Sequence, residues 1–308
     1  MINIELKDGS KIQVEEGLSI LEIAKKISEG LARKAMVGVI DGEVKDLREK
    51  INKDCKLEIK TFDDLEGKKA YWHTSSHIMA QAIKRLYPNT KLTIGPSIDN
   101  GFYYDFDVKK PFSEEDLQKI EEEMKKIVKE DLKLEKYTLP REEAIKFMKE
   151  KEEPYKVELI EELPEGEEIS FYKQGEFTDL CAGPHVGSTG EIKAIKLLSS
   201  SASYWRGDET KQTLQRIYGI SFPKASMLED YLNMLEEAKK RDHKKLGKEL
   251  ELFMIAKEGP GFPFFLPKGM ALRNVLEDFW RKKHVLNDYI EVKTPLVLNE
   301  ELWHRSGH

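Results

Sequence analysis

Alternating apolar and polar positions predict that residues 1–61 form a small module of strands around one helix. Apolar residues alternate with polar ones over residues 2–6, and the turn signal Asp8-Gly9 leads into a return strand. Ser19 and Glu22 then form a capping-box pattern before apolar residues at helical spacing. The order strand, strand, helix, strand, strand predicts a β-grasp fold. Because this module contains no histidine, we expect it to bind or to act as a spacer rather than to catalyse.

The pattern of residues 62–223 predicts a larger α/β domain. Apolar residues recur at helical spacing over residues 71–86, and residues 89–107 are rich in turn and strand signals. A second helical repeat covers residues 117–128, where many Glu and Lys residues indicate a solvated face. Further strands are expected between residues 192 and 217.

A helical linker is predicted at residues 224–248, followed by the start of a further domain at residues 249–308. Within the linker, residues 239–248 include six Lys or Arg and one Asp, which fits either contacts to phosphates or an exposed helix face. The last segment opens with a Gly/Pro-rich loop. We expect a helix at residues 270–284 and then a strand that reaches residue 295.

The composition narrows the class of protein. Of 308 residues, 39% are hydrophobic and 35% are charged, and the net charge is −6, so any binding of nucleic acid must use local basic patches. Only two cysteines occur, far apart in sequence, so we expect no disulfide and a cytoplasmic location. The N-terminus lacks the apolar region of a signal peptide, and no apolar run approaches the ~18 residues of a membrane span. We therefore expect no membrane partner.

Two pairs of side chains carry the most evident chemistry. The first pair, His73 and His77, lies four residues apart on a predicted helix, so both imidazoles face the same direction. The second pair, Cys181 and His185, encloses a Gly-Pro dipeptide, which excludes an ordinary helix and predicts a loop of set geometry. Together the pairs supply three imidazoles and one thiol, a donor set that suits tetrahedral zinc.

Three interpretations of these four residues stay open on spacing alone. They could bind structural zinc, lie unrelated in the core, or line a hydrolytic site with or without a metal. In a hydrolytic site a neutral imidazole accepts a proton near pH 7, Lys156 would offset developing negative charge, and Asp179 adds a carboxylate. Spacing does not distinguish Lys156 from an ordinary surface lysine. Cys181 would act as a nucleophile only with a depressed pKa.

The sequence around these pairs resembles that of the bacterial threonyl-tRNA synthetases. The resemblance covers the whole chain. Besides the HxxxH and CxxxH signatures, it rests on residues 203–208, 214–219, 241–250, 270–284 and 289–295. The last two of these segments resemble motif 1 of class II synthetases, in which Pro295 would lie at a dimer interface.

The resemblance implies a multidomain α+β and α/β fold. Residues 1–61 would form a TGS domain, residues 62–223 an editing domain, and residues 224–248 the helical linker. Residues 249–308 would be the incomplete start of a class II catalytic domain built on an antiparallel sheet. Motifs 2 and 3, the ligands of the catalytic zinc and the anticodon-binding domain would follow His308. The full-length enzyme would be a homodimer that joins threonine to tRNA(Thr) with ATP, Mg²⁺ and Zn²⁺.

For this chain the resemblance implies proofreading, which is hydrolysis of the ester in mischarged Ser-tRNA(Thr). Its partners would be the acceptor end of tRNA(Thr) and the attached serine. His73 and Lys156 would act on the reacting atoms, and Gly95 and Tyr104 would form part of the pocket wall. The remaining candidates would shape the pocket and hold the serine: His77, Asp179, Cys181 and His185.

Two other functions stay open at this point. One is a non-catalytic module that grips the tRNA acceptor end, with zinc on His73, His77, Cys181 and His185 holding the site together. The other is an editing protein of the alanyl-tRNA type, whose signatures are similar. The β-grasp module and the motif 1 segment argue against the second of these. No cofactor is required for the hydrolytic reading, so zinc at the editing site is an open question.

Overall fold

The computed structural model describes residues 1–307, which divide into two compact units, Met1–Tyr231 and a second that begins at Leu232. His308, the last residue of the predicted final segment, lies outside the described residues. None of the described helices is both long and apolar enough to cross a membrane.

The first module is a five-stranded sheet with a helix packed against it. Its elements in chain order are β1 (Ile2–Leu6), β2 (Lys11–Val14), β3 (Leu18–Ser19), α1 (Ile20–Ile27), α2 (Glu29–Ala32), β4 (Ala35–Ile40), β5 (Glu43–Asp46), β6 (Lys50–Ile51) and β7 (Cys55–Thr61). The sheet order is β2-β1-β7-β4-β5, with β1 parallel to β7. The predicted capping box is present, because Ser19 and Glu22 exchange hydrogen bonds at the start of α1.

The larger module follows directly and holds two more sheets. Its elements are α3 (Leu65–Leu86), β8 (Lys91–Leu92), β9 (Ser97–Ile98), β10 (Gly101–Asp107), α4 (Glu114–Glu130), β11 (Leu134–Thr138), α5 (Arg141–Glu150), α6 (Pro154–Glu162), β12 (Ser170–Gln174), β13 (Phe177–Leu180), β14 (Ala194–Tyr204) and β15 (Thr213–Phe222). One sheet has the order β14-β15-β10-β8 and the other β11-β12-β13.

Helix α3 is the central element of this module, and it begins six residues before the predicted Tyr71. It packs against β10 and β15, and the Trp72 indole donates a hydrogen bond to the Ser221 carbonyl at 2.9 Å. At its start a Cβ on Gly67 would lie 1.9 Å from the Thr61 carbonyl oxygen, so only glycine allows this close approach to β7. Residues Ala70 to Ile83 are almost all buried, which makes α3 the rigid support of any site that it carries.

The smaller sheet has its own core, beneath α5 and α6. Its buried apolar members are Ala144, Met148, Val157, Ile160, Ile169 and Phe171. Helix α6 therefore packs against this core, with Lys156, Val157 and Ile160 buried.

The part of the chain after β15 differs from the sequence prediction in two places. The linker is two helices, α7 (Ala225–Lys240) and α8 (His243–Glu249), which are followed by the hairpin β16 (Phe253–Ile255) and β17 (Pro263–Phe265) and by α9 (Pro267–Val285) and α10 (Glu300–Ser306). The predicted strand up to Pro295 was wrong, because residues 286–299 form no strand. A strand needs a neighbour for its backbone hydrogen bonds, and no other described strand pairs there. Pro295 is exposed in this irregular segment.

Candidate active site

Helix α3 presents the first histidine pair on one face. His73 and His77 lie one turn apart, and their ring centroids are 5.0 Å apart. His77 is buried, whereas His73 is partly exposed. The pair therefore projects from the rigid centre of the module toward a shared space, as the spacing predicted.

Strand β13 and the loop after it bring the second pair opposite α3. Asp179 pairs with Tyr172 across the β12–β13 ladder, and the Cys181 N–H donates to the Ser170 carbonyl at 3.0 Å. The loop then turns through Gly183, whose φ of +77° lies in the left-handed region that favours glycine. A Cβ at Gly183 would also meet the Tyr172 hydroxyl at 2.2 Å. The loop returns His185 to the cluster, where its imidazole stacks on that of His73 with centroids 4.2 Å apart.

The four donors predicted from the sequence meet at one point. Cys181 Sγ lies 3.3 Å from His73 Nε2 and 3.2 Å from His185 Nε2, and the centroids of the His77 and His185 rings are 4.3 Å apart. One ligand atom from each of the four residues lies within 4.8 Å of all the others. The interpretation of these residues as unrelated core positions is therefore wrong.

Hydrogen bonds assign the proton position on the His185 ring. The Thr74 hydroxyl donates its single proton to the Ala70 carbonyl at 2.9 Å, so at 3.1 Å from His185 Nδ1 it accepts the ring N–H. His73 Nε2 and His185 Nε2 both lie within hydrogen-bond distance of the Cys181 thiol, whose single proton can be donated to only one of them.

A buried ion pair forms the inner end of the site. Lys156 Nζ lies 2.6 Å from Asp179 Oδ1, and the two side chains are 3% and 2% exposed. Asp179 Oδ2 accepts the Tyr104 hydroxyl at 2.7 Å and lies 3.9 Å from His77 Nε2. Lys156 is thus not the ordinary surface lysine that spacing alone allowed. It comes from the first turn of α6, next to Pro154.

Gly95 and Tyr104, the two residues expected in the pocket wall, lie against each other. The Gly95 carbonyl accepts the Ser76 hydroxyl at 2.6 Å, which ties the segment before β9 to α3. A Cβ at Gly95 would lie 2.0 Å from the Tyr104 ring, so any larger residue would displace that buried tyrosine. Gly95 and Tyr104 therefore depend on each other to keep this wall in place.

Burial sets the protonation states of the cluster. Loss of water contact lowers the pKa of His73 to about 4 and that of His77 to about 3, and it holds the pKa of His185 well below the ordinary value. Burial likewise raises the pKa of the Cys181 thiol to about 12. At pH 7 the cluster presents neutral imidazoles and a neutral thiol, which removes the support for Cys181 as a nucleophile.

Asp179 behaves in the opposite way from its neighbours. Burial opposes its ionisation, but the adjacent Lys156 ammonium and the hydrogen bonds from Lys156 and Tyr104 outweigh that effect and lower the pKa of the carboxyl. Burial also raises the pKa of the Tyr104 hydroxyl far above its usual range, so this group donates a hydrogen bond to Asp179 and stays neutral. The site therefore holds one fixed cation and one fixed anion.

The donor set fits a zinc ion. Tetrahedral zinc with Zn–N of about 2.0 Å and Zn–S of about 2.3 Å separates its ligand atoms by about 3.3–3.5 Å, close to the distances from Cys181 Sγ to the two Nε2 atoms. The buried His77 Nδ1 has no hydrogen-bond partner among residues 1–307, so it is available to a ligand. A metal would bind Cys181 as the thiolate and release its proton.

Sequence reasoning missed two residues that support the site. Asp46, at the end of β5, accepts the backbone N–H of His185 at 2.8 Å and the hydroxyl of Tyr172 at 2.5 Å. Tyr172 packs on His185, with ring centroids 4.4 Å apart. Neither residue belongs to a spaced motif, and Asp46 lies in the module that lacks histidine. No pattern along the chain could have indicated either one.

Comparisons with known proteins match two segments of the chain to described domains. The TGS domain model matches residues 2–61, and the model of the threonyl and alanyl tRNA synthetase second additional domain matches residues 169–218. The second match includes Asp179, Cys181 and His185, whereas His73 and Lys156 lie outside it. The chain therefore carries a TGS domain and an editing-type domain of the kind found in threonyl and alanyl tRNA synthetases.

Several relatives match the chain over almost its whole length, and all three named below are threonine–tRNA ligases. Threonine–tRNA ligase from Caldanaerobacter subterraneus is 68% identical over 305 residues, which is 99% of this chain and 47% of the relative. The enzymes of Acetivibrio thermocellus and Clostridium tetani are 67% and 65% identical over 308 residues, 100% of this chain and 48% of each relative. The chain is similar over its whole length to threonine–tRNA ligases and spans about half the length of the curated relatives it matches.

The lowered histidine pKa values predict a loss of stability in acid. Unfolding returns the pKa of His77 from about 3 toward its ordinary value of 6.5, so between about pH 3 and 6.5 the unfolded chain binds a proton that the folded chain excludes. Stability should therefore fall as the pH falls through this range. In His77→Gln, measured by urea unfolding with a chelator present, the slope of unfolding free energy against pH should be smaller by about 1.4 kcal/mol per pH unit. An unchanged slope would show that His77 titrates alike in both states.

Proposed function

We propose that this chain hydrolyses the ester bond between serine and tRNA(Thr), the proofreading reaction that accompanies threonyl-tRNA synthesis. The observation that carries this proposal is the buried Lys156–Asp179 pair beside a cluster of neutral imidazoles. A cation and a neutral base at one point are the two groups that ester hydrolysis needs. The whole-chain similarity to threonine–tRNA ligases supports this tRNA over tRNA(Ala).

A second site for serine has a physical reason. Serine lacks one methyl group of threonine, and a binding pocket discriminates against a missing methyl by only about 1–3 kcal/mol. The site that attaches the amino acid therefore sometimes accepts serine, and some mischarged tRNA is formed. A smaller pocket that admits serine, rejects threonine by its size and cleaves the ester removes the error.

His73 is suited to act on the attacking water. It is partly exposed, while His77, His185 and Lys156 are buried, so the ester approaches from the side of His73 and Cys181. The Nε2 lone pair would accept a hydrogen bond from water and orient its oxygen toward the ester carbonyl. Because the pKa of His73 is only about 4, this ring orients water more effectively than it stores a proton. A neighbouring ribose hydroxyl could then take part in the proton transfer.

Lys156 is suited to stabilise the negative charge of the reaction. Attack of water on the carbonyl carbon places negative charge on the carbonyl oxygen, and the bond to the ribose oxygen then breaks. A buried ammonium near these oxygens is worth more than one in water, because little solvent screens it. Asp179 fixes the position of Lys156 at 2.6 Å, so the cation needs no rearrangement during the reaction. The leaving ribose oxygen would receive its proton at this end of the site.

The remaining residues would set the size of the pocket. Tyr104 is fully buried and fixed to Asp179, and its ring leaves no room for a side chain at Gly95. His77 and His185 lie behind His73 and would hold the amino and hydroxyl groups of serine. Rigid walls of this kind are what exclusion of a single methyl group requires.

A second candidate function is a tRNA-binding module with zinc at the four donors. The orphaned His77 Nδ1 and the spacing of the donors around Cys181 favour it. In such a module, bound zinc would only hold the site together. Threonine activation, ATP, Mg²⁺, the second zinc and the homodimer are properties proposed for the full-length enzyme.

Replacement of His73 tests the hydrolytic proposal. In His73→Ala the rate of serine release from Ser-tRNA(Thr), measured in single turnovers, should fall by about 10²–10⁴, because no other group orients the water. Exposed His243 provides the control, and His243→Ala should keep the wild-type rate. A His73→Ala variant that retains full activity would exclude this histidine from the mechanism.

Zinc content separates the two candidate functions. The purified chain is analysed for zinc per molecule, then treated with a chelator and tested again for serine release and for thermal unfolding. The hydrolytic proposal predicts that metal-free protein stays folded and active. One zinc per chain, together with loss of the folded state on chelation and no serine release, would support the binding module instead.

A further inference from the structure

A carboxylate from the N-terminal module reaches the wall of the hydrolytic site. Asp46 ends β5 and is only 9% exposed, although it belongs to the small β-grasp sheet. Both of its oxygens serve the larger module, because Oδ1 accepts the His185 N–H at 2.8 Å and Oδ2 accepts the Tyr172 hydroxyl at 2.5 Å. These contacts join residues 139 and 126 positions apart in sequence.

Asp46 thereby holds the backbone N–H of His185 directly, and it holds one face of the His185 ring through Tyr172. The Tyr172 ring that it fixes packs on the His185 imidazole at 4.4 Å between centroids. The His185 ring has two further polar contacts. Its Nδ1 lies 3.1 Å from the Thr74 hydroxyl oxygen, and its Nε2 lies 3.2 Å from Cys181 Sγ. A shift of Asp46 would move the one ring that stacks on His73.

Arg48 completes this connection. Its guanidinium lies 3.0 Å from Asp46 Oδ1 and 5.8 Å from the Tyr172 ring centroid, and it donates to the Leu134 carbonyl. The cation offsets the charge of the buried carboxylate and links the first module to β11. The contact between the modules is therefore specific and charged, unlike the exposed joint of a flexible spacer.

We propose that Asp46 is a positioning residue of the hydrolytic site, which makes the N-terminal β-grasp module a working part of that site. The kinetic part of this inference rests on the proposed deacylase function. Asp46 touches no substrate atom. It acts through the Gly183–His185 segment and Tyr172, as the outer partners of a catalytic group do. The expectation that this module is only a binding or spacer element would then be wrong.

Three variants of the full 308-residue chain test the inference. Asp46→Ala removes both acceptors, and Asp46→Asn keeps one oxygen for the His185 N–H. Asp54→Ala is the control within the first module, because exposed Asp54 accepts from Asn3 at 2.8 Å and 3.1 Å without contact to the larger module.

The kinetic result should separate these variants. For serine release from Ser-tRNA(Thr), Asp46→Ala should lower kcat about tenfold or more with KM nearly unchanged, since small displacements of positioned groups reduce turnover. Asp46→Asn should recover most of that loss, and Asp54→Ala should match the wild type. Equal losses in Asp46→Ala and Asp54→Ala, or no loss in either, would overturn the inference.

A second measurement does not depend on deacylation. The chain has two free cysteines, Cys181 in the site and Cys55 in the first module, so alkylation by iodoacetamide can be followed at each by peptide mass spectrometry. Asp46→Ala should raise the rate at Cys181 several-fold and leave Cys55 unchanged. Equal increases at both would indicate unfolding of the first module, and no increase at Cys181 would contradict the positioning role. If wild-type protein releases no serine, the deacylase proposal fails, while the alkylation rates still decide the role of Asp46.

Discussion

The carboxylate of Asp179 is the interaction on which the rest of the larger module depends. It joins β13 to Lys156 on α6 at 2.6 Å and to Tyr104 on β10 at 2.7 Å, and it lies 3.9 Å from His77 on α3. A buried charge destabilises the fold unless it is paired and hydrogen-bonded. Loss of one partner therefore leaves the other as an unpaired buried charge, which destabilises the folded state. The four elements must therefore pack in one arrangement, and that arrangement defines the site.

The same burial gives the site its chemical character. It keeps the imidazoles and the Cys181 thiol neutral at pH 7, and it encloses the ion pair of Lys156 and Asp179, whose Nζ and Oδ1 atoms are 2.6 Å apart. A neutral ring can orient water, and a fixed cation can stabilise an oxyanion. The arrangement favours hydrolysis in which charge stabilisation contributes more than proton abstraction, because a buried imidazole with a pKa of about 4 is a weak base.

Local sequence patterns predicted the parts of the site that depend on short-range geometry. The i, i+4 spacing was enough to place His73 and His77 on one face, and the Gly-Pro dipeptide was enough to predict a loop before His185. Lys156 and Asp179 were candidates because of the resemblance to the synthetases, and in the structure they form an ion pair.

Contacts between distant segments could not be predicted in this way. Asp46 contacts residues more than a hundred positions away, and nothing in its neighbourhood marks it as part of a site. The strand expected up to Pro295 failed for a related reason, because a strand forms only where another one supplies hydrogen bonds.

The role of Lys156 is tested most directly by the rate of serine release after its charge is removed. Because Lys156→Met leaves Asp179 buried and unpaired, the double variant Lys156→Met/Asp179→Asn restores neutrality, and thermal unfolding shows whether each variant is folded. Exposed Lys146 provides the control, as Lys146→Met. The account predicts that the folded double variant loses about 10²–10³ in single-turnover rate while the control keeps its rate. A folded double variant that hydrolyses Ser-tRNA(Thr) within twofold of the wild-type rate would contradict it.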